Sequence, residues 1–344
     1  MSTLHNMVDM HKYRSLLALL DRYDNFALST HINPDGDAIG SELSLYFFLT
    51  QLGKSVRIFN TDTVPTNYRF LPFWDSIEGV GSVGSYRPEV LVVLDASTLE
   101  RIGKTLSKIL VPIHILVNID HHATSEAFGD INLIEPSASS TSEIVYTLIK
   151  YHQTPISKFC ALCLYTGLMF DTGCFRYSNA TAETHRIAAE LIEIGEFAPD
   201  EVYRSVYEHI PVSKIRLLSE ILRTLKVTDN GKIASVYATQ AMFQKTGTTP
   251  EAVEGVVNQI QAIAGIEVAL CACELRDGST KVSLRSQGQV DVSELASEFE
   301  GGGHSRASGC RIVMPYLSAI TAVVHTAQRY IDQPSTRCGD SFKD

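Results

Sequence analysis

The chain is expected to fold as an α/β protein. An N-terminal domain with a mainly parallel sheet flanked by helices should be followed by a smaller C-terminal α/β domain. Three observations carry this expectation. The apolar, β-branched runs Glu89–Leu94 (EVLVVL) and Ile113–Ile119 (IHILVNI) have the composition of strands buried on both faces. Between Asn25 and Thr61 a strand, a helix and a second strand follow one another, which is a βαβ unit. After residue 230 the composition changes and the pattern restarts.

In chain order, His11–Tyr23 predicts an amphipathic helix with Leu16, Leu19 and Leu20 on one face. Asn25–Ile32 (NFALSTHI) is the first strand. In the NPDGD that follows, Pro34 presets φ and Gly36 frees it, so a tight turn is expected. The helix AIGSELSLYFFLTQLG begins near Asp37 and stops at Gly53. SVRIFNT is the second strand, Val64–Phe73 a loop, and Glu89–Leu94 a third strand ending at Asp95. A short helix over Leu106–Leu110 precedes the strand that delivers Asp120, His121 and His122, and Asp130–Ile134 is a further strand. Helices are expected over Ser140–Tyr151, Ile156–Phe170, Thr181–Ile194 and Pro199–Glu208, with Ser139 to Ser142 capping the first of them. Pro211–Leu225 reads as a connecting helix. The expected division is residues 1–208, a helical linker at 209–230, and a second domain at 231–344.

In that second domain KIASVYAT is a strand and Pro250–Ala264 a helix. Glu267–Leu275 and Lys281–Ser286 are strands joined by RDGS, whose Asp-Gly pair favours a hairpin. Val292–Phe299 is a helix, Gly301–Gly303 a loop, and Pro315–Tyr330 a closing helix.

Bulk properties narrow the function. With 344 residues, each domain can bury a sizeable core. No apolar run reaches the roughly 18 residues of a membrane span, and the N-terminal MSTLHNMVDMHKYRS has no signal-like core. Seven Cys in apolar surroundings suggest reduced thiols in a cytoplasmic protein. A net charge of −10 argues against long nucleic acid as the preferred ligand but leaves room for a small phosphate ligand. Exposed sheet edges or the helix near 211–225 offer surfaces for a homodimer.

The acidic residues share one placement. Asp35 and Asp37 in HINPDGD, Asp95, and Asp120 with His121 and His122 all follow strands, where open α/β sheets place their ligands. Asp171 ends an apolar helical segment. Each has a structural alternative: a turn or helix cap for Asp35, Asp37, Asp95 and Asp171, and surface or core packing for the histidines. Their convergence would need a strong compensating charge, and a pair of divalent ions supplies it. Asp35 and Asp37, separated by Gly36, can point at two neighbouring ions, with His31 giving nitrogen to the first. Oxygen-rich ligation with some imidazole suits Mn²⁺, or Mg²⁺, better than Zn²⁺. Such a pair activates water and stabilises charge on a phosphoryl oxygen.

HINPDGDAIGS, VVLDAS, NIDHHAT and GLMFDTGCFRYSN, in this order and spacing, resemble the DHH phosphoesterases. VSLRSQGQVDVSELASEFEGGGHSRASGC resembles the associated DHHA1 domain, so the likeness spans about residues 12 to 330. It is nearest to the branch of oligoribonucleases that act on very short RNA, dinucleotides included, and also dephosphorylate 3′-phosphoadenosine 5′-phosphate (pAp). The resemblance implies that His31, Asp35 and Asp95 hold a first ion, and that Asp37, Asp95, His121 and Asp171 hold a second. It implies that Asp120 orients a neighbouring histidine and that His122 serves the scissile phosphate or the leaving oxygen. Phe170 stands where relatives often carry a polar residue, which alters the pocket wall. Hydrolysis of a cyclic dinucleotide or of its linear product is the alternative activity.

In the second domain, Arg285 offers a fork for phosphate, and the backbone of Gly302 and Gly303 can approach an anion beside His304. A cleft between the domains would then measure substrate length. Arg176 and Tyr177, just past Asp171, are candidates to face a base or phosphate. Cys160, Cys163 and Trp74 are expected to be packing residues.

Overall fold

The computed structural model describes residues 2–110, 113–208 and 210–332; the side chains of residues 2–11 and of His304 lie outside the described set. Two compact units divide the chain, Met1–His209 and Ile210–Asp344.

In the first unit, helix α1 (Ser2–Arg22) leads into β1 (Asn25–Thr30), α2 (Gly36–Gln51) and β2 (Ser55–Asn60). Strands β3 (Ile77–Gly79) and β4 (Val90–Leu94), helix α3 (Lys104–Leu110), and strands β5 (Ile115–Asp120) and β6 (Ile131–Ile134) follow. Four helices complete it: α4 (Thr141–His152), α5 (Lys158–Asp171), α6 (Ala182–Gly195) and α7 (Pro199–Tyr207). The strands form one sheet in the order β3-β2-β1-β4-β5-β6, and every neighbouring pair is parallel. The order reverses between β1 and β4, so the crevice beyond their carboxyl ends is the natural ligand position.

Both sheet faces are covered, as the unbroken apolar runs require. Phe26, Leu28, Val92, Val117 and Ile119 pack with Leu43, Ile144 and Leu164 of α2, α4 and α5. Ala27, Leu91, Val93 and Leu116 face the other way, onto Leu106 and Leu110 of α3. Helices α2 and α5 approach closely because neither carries bulk at the crossing. A Cβ on Gly40 would lie 2.6 Å from the Cys163 carbonyl oxygen. Cys160 and Cys163 are core residues of α5 as expected, and burial pushes the Cys160 thiol up to about 12. Trp74 lies under the Arg69 guanidinium, 5.0 Å from ring centre to Cζ.

The second unit begins with α8 (Val212–Leu222), β7 (Lys226–Val227), β8 (Ile233–Ala238), α9 (Gln240–Thr246) and α10 (Val256–Gln261). It continues through β9 (Val268–Glu274), β10 (Thr280–Ser286), α11 (Val292–Ser297), β11 (Gly302–His304), β12 (Ala307–Ile312) and α12 (Tyr316–Asp332). Its sheet runs β11-β12-β10-β9-β8-β7, with only β8 and β9 parallel. The β9–β10 hairpin matches the expectation from RDGS.

Three expectations need correction. The helical linker expected at 209–230 is largely α8 and β7 of the second unit, since Leu217 and Ile221 pack fully buried against Ala234, Val236 and Phe243. The single helix expected over Pro250–Ala264 is broken at Gly255, whose φ of +84° no helix accommodates, leaving a 3₁₀ turn and α10. Of the loop expected over Gly301–Gly303, Gly302 and Gly303 instead begin β11, paired antiparallel with β12, and Gly301 lies just before it.

Candidate metal centre

The site is built where β1, β4 and β5 end. His31 follows β1, and its Nδ1 lies 2.8 Å from the Ile32 carbonyl oxygen, which turns Nε2 toward Asp35 Oδ2 at 3.7 Å and Asp95 Oδ2 at 3.6 Å. Asp35 caps α2, its Oδ1 accepting from the amides of Asp37 and Ala38. The turn of NPDGD therefore places Asp35 at the mouth of the site and Asp37 one step inside the helix.

Asp95 has φ +55°, in the left-handed region that Asp tolerates better than most residues. It is almost fully buried and sits centrally. Oδ2 faces His31, while Oδ1 lies 3.7 Å from His121 Nε2 and 3.6 Å from His122 Nδ1. His121 Nε2 is also 2.9 Å from Asp171 Oδ2 at the end of α5. Among the described residues three groups of donor atoms result, each close enough to hold a metal ion: His31, Asp35 and Asp95; Asp37, His121 and Asp171; and Asp95, His121 and His122.

The six side chains expected to bind metal are thus brought together. His122, expected to stay free of metal, also has a donor atom within one of these groups. The histidine that Asp120 contacts is His122, with Nδ1 2.7 Å from Asp120 Oδ1; Asp120 Oδ2 is buried with no hydrogen-bond partner among the described residues.

The electrostatics suit a cation. Burial, the charges of Asp95 and Asp171 and their mutual crowding push Asp37 well above the ordinary carboxylate range. Asp35 rises to about 6 through loss of solvent and the nearby Asp95 charge. Burial alone would lower His31, but its hydrogen bond to Asp95 and the carboxylate charges raise it to about 9. His121, opposed in the same way by burial, rises to about 10 through Asp171 and Asp95. Asp95 moves the other way: burial would raise it, yet the three imidazoles around it hold it below the usual range. Too many carboxylates share this space to stay ionised alone, so protons are drawn in where a cation would serve. The donors are all carboxylate oxygen and imidazole nitrogen, which fits a hard or borderline divalent ion.

Sequence reasoning missed the turn at the start of α4. Ser140 caps the helix, its Oγ accepting from the Glu143 amide at 3.1 Å, as Ser139–Ser142 predicted. The next two amides do more. Thr141 N–H donates to Asp37 Oδ2 at 2.6 Å and Ser142 N–H to Asp37 Oδ1 at 2.9 Å, while Thr141 Oγ1 donates to Asp95 Oδ1 at 3.0 Å. Asn179 Nδ2 bridges the carbonyl oxygens of Ser139 and Asp171. Backbone donors carry no residue-type signal, so only the run of small polar residues marks this turn.

Arg176 Nε donates to the Gly173 carbonyl, and its guanidinium lies 6.0 Å from the centre of the exposed Tyr177 ring. Phe170 packs against Gly36 and against Tyr68, so it closes the wall behind Asp35. In the second unit, Arg285 Nε donates to Asn258 Oδ1 and its Nη1 to the Leu284 carbonyl. Gly303, with φ +143°, sits so close to β12 that a Cβ would meet the Ala307 carbonyl at 2.6 Å. Gly302 is open and exposed. The His304 side chain lies outside the described residues.

Residues 25–168 match the DHH family, N-terminal domain, and residues 230–333 match the DHHA1 domain. The chain is 31% identical to the bifunctional oligoribonuclease and PAP phosphatase NrnA of Bacillus subtilis, over 86% of this chain and 92% of that protein. It is likewise 31% identical to the Thermus thermophilus protein of the same name, over 83% of each. Among solved structures, an exopolyphosphatase-related protein from Bacteroides fragilis superposes with a TM-score of 0.88 at 31% identity, covering 94% of this chain and 97% of that one. Two matched domains in the family's order, over a shared fold and with relatives aligned nearly end to end, place the chain in the DHH family, its DHH domain followed by a DHHA1 domain.

Proposed function

We propose that this chain is a metal-dependent phosphoesterase that hydrolyses short oligoribonucleotides to mononucleotides and removes phosphate from pAp, acting in the cytoplasm. The observation that carries the reading is Asp95, whose two carboxylate oxygens face different groups of metal-competent donors. The names of the two relatives at 31% identity supply the substrate class.

In this reading His31, Asp35 and Asp95 hold one divalent ion, and Asp37, Asp95, His121 and Asp171 hold another, with Mn²⁺ preferred to Mg²⁺. When bound, the ions supply Lewis acidity toward a phosphoryl oxygen and lower the pKa of water. The chain's own residues do the rest. The Asp120 carboxylate accepts the Nδ1 proton of His122 and leaves Nε2 to touch the phosphate or to give a proton to the leaving oxygen. Arg285, the amides of Gly302 and Gly303, and His304 bind a substrate phosphate, and Arg176 contacts a phosphate or base. The net charge of −10 disfavours a long polyanion and leaves short ones to be captured locally.

The test is a product time course with Mn²⁺ on a 5′-labelled diribonucleotide, a pentanucleotide, a long oligomer, pAp and a cyclic dinucleotide. Fast turnover of the two short RNAs and of pAp, falling steeply for the long oligomer, is expected. Turnover confined to the cyclic dinucleotide would replace this substrate assignment, and no product from any of them would overturn it.

A further inference from the structure

Asp95 can serve two ions only if its carboxylate plane is fixed, with one oxygen turned to each side. The terminal torsion of an Asp side chain is broad and nearly two-fold, so the residue itself does not set that plane. Three imidazoles surround it and would attract either oxygen. One neutral donor breaks the tie. Thr141 Oγ1 donates to Oδ1 at 3.0 Å, on the side shared with His121 and His122, and leaves Oδ2 to the side of His31 and Asp35.

Thr141 is suited to this by position. It is fully buried at the first position of α4, and its own amide and that of Ser142 grip both oxygens of Asp37. Ser140, not Thr141, caps the helix. Loss of the Thr141 hydroxyl therefore leaves the cap in place, along with both amides that reach Asp37.

From this we infer that Thr141 is a positioning residue for the metal centre: its hydroxyl orients the Asp95 carboxylate so that each oxygen is offered to a different ion. The inference rests on the two-ion reading above. It concerns the chain's side of the site and is testable through metal binding itself.

The experiment compares the full-length wild type with Thr141→Val, Thr141→Ser and Thr141→Ala, each stripped with EDTA and titrated with Mn²⁺ by calorimetry and by electron paramagnetic resonance. Wild type should take up two ions with the spectrum of an exchange-coupled pair. Thr141→Val should weaken Mn²⁺ binding by about 10–100-fold, the range for groups that orient metal ligands. It should also replace the coupled spectrum with that of isolated ions. Thr141→Ser should restore both. Turnover of a diribonucleotide should fall in kcat with KM little changed. Thr141→Ala, which adds no methyl in place of the hydroxyl, gives the same readout if the valine variant does not fold by circular dichroism. Wild-type affinity and coupling in the Val or Ala variant would overturn the inference, as would failure of Ser to rescue. A wild type that never binds two ions would instead bring down the two-ion reading.

Discussion

Asp95 and Glu42 are both buried carboxyl groups in the first unit, and their surroundings assign them opposite behaviour. Asp95 is ringed by imidazoles and is held ionised. Asp95→Asn keeps the shape but removes the charge that both donor groups share. Activity should drop by more than about 100-fold, above what loss of an orienting group costs, and the variant should bind at most one Mn²⁺. Activity near wild type would break the two-ion arrangement. Among the described residues Glu42, fully buried in α2, has Asn60 Nδ2 as the one hydrogen-bond partner of Oε2, and Oε1 has none. Burial pushes it from 4.5 up to about 8, with Asn60 and His31 only partly offsetting it.

The sign for Glu42 follows from proton linkage. Between pH 4.5 and about 8 the folded chain keeps this proton and the unfolded chain has lost it. Stability therefore falls as pH rises through that window, by an amount on the order of 4–5 kcal/mol for the whole shift. Glu42→Gln removes the titration. In urea melts at pH 5.5, 7 and 8.5, the stability of the Gln variant relative to wild type should climb with pH and level off above about 8. Parallel curves for the two proteins would show that Glu42 does not carry a proton in the folded state.

At the scale of elements, α2, α4 and α5 converge on Asp37, and the room for that convergence comes from Gly167. A Cβ there would lie 2.0 Å from Ser142 Oγ and 2.7 Å from Asp37 Oδ1. Gly167→Ala should cost about 1–3 kcal/mol as overpacking and weaken Mn²⁺ binding, because one of the displaced atoms, Asp37 Oδ1, is the oxygen that accepts from the Ser142 amide. A thermal melt with and without Mn²⁺ reads both effects, and an unchanged metal-induced shift would show that α5 does not constrain Asp37. This convergence was only partly legible in the sequence. Strands such as β4 and β5 announced themselves because a parallel strand covered on both faces must be apolar throughout, and the acidic residues at their ends stood out against that background. Strands β3, β7 and β11 did not, because a pairing of two or three residues is imposed by the neighbouring strand rather than by composition. Gly255 ended a helix from within an otherwise helical pattern, where a lone glycine is ordinarily tolerated. The grip of α4 on Asp37 was hidden for a different reason: both of its hydrogen bonds come from backbone amides.

For the molecule as a whole, metal binding links charge, stability and activity. Without a cation, burial and crowding keep Asp37 protonated well above its ordinary range, and carboxylates hold His31 and His121 protonated up to about 9 and 10. At pH 7 a divalent ion must displace those protons, since only the deprotonated forms can donate to it. Mn²⁺ titrations in buffers of differing ionisation enthalpy should therefore show net proton release at pH 7, shrinking as the pH is raised through 9 and 10. Binding to the folded chain alone also stabilises it, by about 2.7 kcal/mol per site at a hundredfold excess over Kd. EDTA should accordingly abolish turnover and lower the melting temperature together. Mn²⁺ should restore both better than Zn²⁺, because the donor groups hold carboxylate oxygen and imidazole but no thiolate. Full activity in EDTA would mean that the centre is not a metal site, and Mn²⁺ uptake without proton release at pH 7 would mean that its carboxylates and imidazoles do not hold the protons assigned to them.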